Sequence, residues 1–105
     1  MIIKNGLVFD LEKGFSDSSE DFAYAKQMML RSAKERILAV DSSKFGKMAF
    51  CKVGDLKNID IIVTDKKPDR DMMKVLEMAK VRCIYPEDDG IVERGRLYAE
   101  ALFGN

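Results

Sequence analysis

The 105-residue chain has no histidine, no tryptophan, two cysteines and two prolines. Without histidine the commonest general base is missing, and with it the Ser-His-Asp and Cys-His schemes of nucleophilic catalysis. Cys51 and Cys83 stand far apart, each inside an apolar run. Two isolated thiols and no imidazole do not make a zinc-ligand set. Buried, reduced thiols in a cytoplasmic protein are the expected state. No apolar run approaches the roughly 20 residues that a membrane helix needs, and no signal-peptide pattern is present, so no membrane partner is expected. Nor is one charge in excess: 18 basic and 18 acidic residues cancel. A stand-alone nucleic-acid binder carries a basic excess or stripe, which this balance argues against. What remains is 47% hydrophobic and 34% charged residues, the composition of one globular domain with a modest core.

The patterning predicts an α/β fold, a mostly parallel sheet flanked by helices. An apolar start runs into the turn dipeptide Asn5-Gly6, and Leu7–Phe9 can form a short strand. The stretch 12–21 is rich in glycine and serine and reads as a loop, with Ser18 or Ser19 placed to cap a helix. From Glu20 to Arg36, Phe22, Ala25, Met29 and Ala33 fall on one side at helical spacing. Strands are predicted over Ile37–Val40, Met48–Val53, Ile59–Asp65 and Val81–Pro86. A helix follows Pro68 to about Lys80, and a last helical pattern covers Ile91–Leu102. Seven residues separate the first two of these strands, too few for a right-handed parallel crossover, so they are not parallel neighbours. The strand–helix–strand order over 59–86 implies a parallel pair. No βα unit precedes the first turn, which suggests the later part of a larger domain.

Polar residues collect just past predicted strand ends, where ligands of open α/β sheets bind. After Ile37–Val40 come Asp41, Ser42, Ser43 and Lys44, a carboxylate, two hydroxyls and an ammonium. Such a set can hold a polyol and a phosphate together; the alternative is a solvated turn closed by the aspartate. Thr64-Asp65-Lys66 ends the next strand in the same way, and Asp65 either reaches that crevice or satisfies nearby backbone N–H groups. Lys26 lies within the apolar arc of its helix, so it either snorkels to solvent or faces a polar pocket. The methionines at 28, 29, 72, 73 and 78 suit a core or an oligomer interface better than a cofactor box.

Taken together, these segments resemble one family. "DSSKFGKMAF" followed by "GDLKNIDIIVTD" is similar to the C-terminal sensor domain of DeoR-type bacterial transcriptional repressors. Asn5-Gly6, "LEKGFS" at 11–16 and a helix bearing Lys26 match the preceding portion in the right order, so the resemblance covers about residues 2–86. It implies a fold related to ribose-5-phosphate isomerase and coenzyme A transferases. It further implies a non-enzymatic, oligomeric sensor that binds a phosphorylated sugar or related metabolite without a cofactor. Operator DNA would be bound only through an N-terminal helix-turn-helix that these residues do not include. By position, Asp41 and Lys44 would contact the ligand, Ser43 would support their turn, and Asn5, Gly6 and Lys26 would line the same crevice. Family members carry a glutamate four residues before the helix lysine, where this chain has Phe22. The chain is expected to be a single-domain fragment of such a sensor, lacking the glycine- and threonine-rich loop that holds phosphate. The rival expectation is a sugar-phosphate isomerase of the same fold, whose base would be Asp41, Asp65 or Asp21. A third is a purely structural assembly module.

Overall fold

The computed structural model describes residues 1–86. Seven strands and two helices follow in the order β1 (Ile2–Ile3), β2 (Leu7–Asp10), β3 (Gly14–Asp17), α1 (Glu20–Ser32), β4 (Ile37–Ala39), β5 (Cys51–Gly54), β6 (Ile61–Val63), α2 (Arg70–Met78) and β7 (Arg82–Ile84). Single 3₁₀ turns occupy Ser42–Lys44 and Leu56–Asn58. The predicted helical pattern over 91–102 lies outside the described residues.

One sheet is wholly parallel, in the order β1-β4-β6-β7. Ile2 pairs with Ile37, Ile37 with Ile61, and Val63 with Ile84, so the apolar residues of adjacent strands stay in register. Every residue of β4 and β6 is buried, which explains why both read as continuous apolar runs rather than alternating ones. Leu38 and Ile62 point into the larger core with Ile3, Phe9, Phe15 and Leu76, whereas Ile37, Ile61, Val63 and Ile84 cluster on the opposite face.

The second sheet is antiparallel, in the order β2-β3-β5. It is built from the crossovers of the first. The chain supplies β2, β3 and α1 between β1 and β4, and β5 between β4 and β6. Pairing of β3 with β5 therefore ties two crossovers together. Gly14 makes the close approach possible: its φ is +82°, and a Cβ there would lie 2.3 Å from the Gly54 carbonyl oxygen.

The α/β class and the 59–86 strand–helix–strand unit are as the patterning predicts, and the strands flanking residues 41–47 are in different sheets. Three expectations are corrected. The predicted loop at 12–21 contains β3, fully buried as the middle strand of the second sheet; its Gly14 and Ser16 are packed within the sheet rather than placed in a turn. Helix α1, capped by Ser19, which accepts from the Phe22 N–H, stops at Ser32 and not at Arg36. Ala33 is already extended, because the chain must straighten to enter β4, and Arg36 is held there by Asp60. The strand expected over 48–53 starts only at Cys51, leaving Phe50 96% exposed. Both cysteines are half-buried.

Candidate functional site

Two turns face each other at the carboxyl ends of β1 and β4, the position at which open α/β sheets bind ligands. Between them lies a cavity of about 180 Å³ lined by Lys4, Asn5, Gly6, Leu7, Ala39, Val40, Asp41 and Lys44. A groove of about 770 Å³ alongside α2 is larger, but its lining surface is mainly apolar. Convergent polar groups, not volume, single out the smaller cavity.

The first turn is Asn5-Gly6, with φ values of +68° and +73°. Two consecutive left-handed residues reverse the chain tightly, and asparagine and glycine tolerate that conformation best. The turn is held from behind. Lys26 Nζ donates to the Asn5 carbonyl oxygen and to Asp17 Oδ2, each at 2.5 Å. Asp17, only 1% exposed, also accepts from the Ser19 N–H at 2.9 Å through Oδ1. Burial by itself raises the Asp17 pKa, but the hydrogen bonds from Lys26 and Ser19 and the lysine charge outweigh it and hold the carboxyl below its usual 3.8. A Cβ on Gly6 would lie 3.1 Å from Asp17 Oδ2, so the glycine also lets the turn rest on this ion pair.

The second turn is Asp41–Lys44. Asp41 caps the 3₁₀ turn, its Oδ1 accepting from the Ser43 N–H at 2.8 Å and from the Ser43 hydroxyl. Both bonds go to Oδ1, so Oδ2 has no hydrogen-bond partner among the described residues. Asp65 clamps the turn from the end of β6: Oδ1 accepts from the Ser42 N–H at 2.7 Å and Oδ2 from the Ser42 hydroxyl at 3.3 Å. Burial raises the Asp65 pKa, yet these bonds and one from Thr64 bring it below 3.8. The Lys44 ammonium has no hydrogen-bond or ion-pair partner among the described residues, so it is free to meet an anion.

The six residues singled out in the sequence thus divide by position. Asn5, Gly6, Asp41 and Lys44 line one cavity. Ser43 and Lys26 stand behind it, each holding a turn in shape. Lys26 neither snorkels into solvent nor lines the cavity: its charge is met by Asp17. Asp65 takes the backbone-satisfying role, and Asp21 is exposed on α1. Asp17 was missed because its stretch reads as a loop. The available signal was Lys26 itself: an ammonium within an apolar helical arc calls for a buried counter-charge.

A family model described as the DeoR C terminal sensor domain matches residues 5–66. An uncharacterized HTH-type transcriptional regulator YulB of Bacillus subtilis is 36% identical over 74 residues, 70% of this chain and 29% of that protein. The HTH-type transcriptional regulator GlpR of Haloferax volcanii is 33% identical over 75 residues, 71% of this chain and 29% of its own length. The deoxyribose operon repressor of Escherichia coli is 35% identical over 60 residues, 57% of this chain and 24% of that protein. The chain spans less than a third of the length of these relatives.

Proposed function

The chain belongs to the DeoR sensor-domain family, and from that premise we propose that it is the non-enzymatic, self-associating sensor part of a transcriptional repressor of sugar metabolism. Its effector is a phosphorylated sugar or a related anionic polyol. Operator DNA is contacted by a helix-turn-helix elsewhere in the parent protein, in keeping with the balanced charge of these residues.

One observation carries this reading: a free ammonium on Lys44 and a free carboxylate oxygen on Asp41 share one cavity, on two turns braced by the buried Asp17 and the half-buried Asp65. Asp41 Oδ2 accepts hydrogen bonds from sugar hydroxyls, and Lys44 pairs with the phosphate. Asn5 presents a side-chain amide to the remaining polar edge. The cavity, at about 180 Å³, is below the roughly 300–1,000 Å³ of sites that enclose a whole small ligand. It therefore fits one end of a sugar phosphate, with the rest of the contact made by other parts of the parent protein. The first turn is braced from Asp17 on β3 of the second sheet and the second turn from Asp65 after β6 of the first, so a ligand bridging them biases the relative placement of the two sheets, which is the differential contact that a sensor needs.

Calorimetric titration of the full-length parent with sugar phosphates, and with the matching free sugars, tests this. Phosphorylated forms are expected to bind more tightly, and Lys44→Ala to remove most of that preference. Equal affinity of Lys44→Ala and the wild type for every phosphorylated ligand bound would sink the assignment.

A further inference from the structure

Helix α1 has two apolar sides, and the fold uses one. Ala23 and Leu30 are buried against the second sheet, yet Phe22 is 64% exposed, and Met28 and Met29 are exposed with it. At about 100° per residue, Asp21, Ala25, Met28 and Ser32 form a ridge opposite the buried side. Their spacing is four, three, four, that of a helix–helix seam, and all four are exposed. The ridge has small or polar side chains toward its ends, one methionine near its middle, and flanks of distinct chemistry. Phe22 and Met29, seven apart, form one flank. Glu20 and Arg31 mark the two ends of the other, and neither has an ion-pair partner among the described residues.

We infer that this face pairs with α1 of a second copy, the two helices antiparallel about a twofold axis passing between Ala25 and Met28. The self-complementarity of the charges and of the apolar flank selects this occupant. In an antiparallel pair related by such an axis, each flank meets its own equivalent. Glu20 then approaches Arg31 of the second copy, and Phe22 approaches Met29 of the second copy, each contact made twice. Ala25 leaves room for the facing Met28. A parallel twofold pairing would instead set the charged flank against the apolar one, Glu20 toward Phe22 and Arg31 toward Met29. The helix is about 20 Å long at 13 residues, so the contact is smaller than the roughly 800 Å² per partner of a standard stable interface and the dimer is a weak, concentration-dependent one. The inference rests on the self-association included in the proposed function and names the surface that performs it. It also links that surface to the cavity, because the Phe22 ring centroid lies 6.0 Å from Lys26 Nζ, which holds the Asn5-Gly6 turn.

Sedimentation velocity of the 105-residue chain over a concentration series tests the pairing, with far-UV circular dichroism to confirm that each variant is folded. The wild type is expected to show a reversible monomer–dimer equilibrium. Arg31→Glu is expected to weaken it about tenfold, since two ion pairs become two repulsions, and Glu20→Arg combined with Arg31→Glu to restore most of the loss. Met28→Lys should dissociate the dimer without touching either charge. A dimer that survives both Arg31→Glu and Met28→Lys, or a double reversal no better than Arg31→Glu alone, overturns this inference while leaving self-association standing. A wild type that stays monomeric throughout overturns both.

Discussion

Replacing Lys26 by methionine should do more damage than its place on a surface helix suggests. The side chain is 13% exposed and its partner Asp17 2%. Methionine keeps the stem's packing and helix propensity but leaves a buried carboxylate with only the backbone N–H groups of Ser18 and Ser19 and frees the Asn5 carbonyl oxygen. Breaking a buried pair from one side costs about 3–5 kcal/mol. Lys26 is nearer the surface, and water can reach part of the gap, so about 2–4 kcal/mol is expected here. For a domain of this size that lowers the melting temperature by on the order of 10–25 °C. The same pair sets the acid limb of stability. The Asp17 pKa is lower in the folded state than the ordinary 3.8, so its contribution is present above about pH 4 and is lost as the pH falls through the depressed folded value. In Asp17→Asn that part of the acid limb is expected to flatten. Combining Lys26→Met with Asp17→Asn removes both charges and should cost clearly less than the sum of the single changes. Thermal and urea unfolding from neutral pH down to about pH 2.5 would measure all of this. A loss under about 0.5 kcal/mol for Lys26→Met, together with an unchanged acid limb in Asp17→Asn, would refute the bracing role given to the pair.

Three further outcomes follow from the same geometry. Asp65→Ala strips the Ser42 N–H of its partner and should cost about 1–3 kcal/mol, with faster amide hydrogen exchange at residues 42–44; exchange as slow as in the wild type would argue that the turn holds its own shape. Gly14→Ala meets both a φ of +82° and the Gly54 carbonyl, and is expected to lose about 2–4 kcal/mol in urea unfolding. Lys80 ends α2 with a φ of +61°, and the Val81 N–H bonds back to Leu76; Lys80→Gly should therefore be neutral or stabilise by up to about 1 kcal/mol, and a clear loss would contradict the strain argument.

The strands of the parallel sheet are local facts. Ile37–Ala39 and Ile61–Val63 are short apolar runs rich in branched side chains, and nothing distant is needed to read them. Asp41 and Lys44 were legible for the same reason, standing directly after such a run. Strand β3 was not. Gly14, Ser16 and Asp17 carry turn composition, and they form a strand only because β2 and β5 close on either side. The early end of α1 was hidden too: Lys34 and Arg36 continue the helical pattern in composition, but Asp60, 24 residues away, holds the Arg36 backbone and guanidinium at the start of β4.

Local order along the chain came from the period of apolar residues, from the Ser19 cap, and from the Asn5-Gly6 turn. These depend on neighbours within a few residues, so composition and spacing suffice to find them. Which turns meet, and which charges are neutralised, depends on contacts between distant segments. Asp17 becomes the partner of Lys26 because β3 runs beneath α1, and Asp65 becomes the brace of Ser42 because β6 lies beside β4 in parallel register. Burial removes the solvent that would otherwise satisfy Asp17 and limits it at Asp65. A side chain that would only be soluble on an open loop thereby becomes the support of a site.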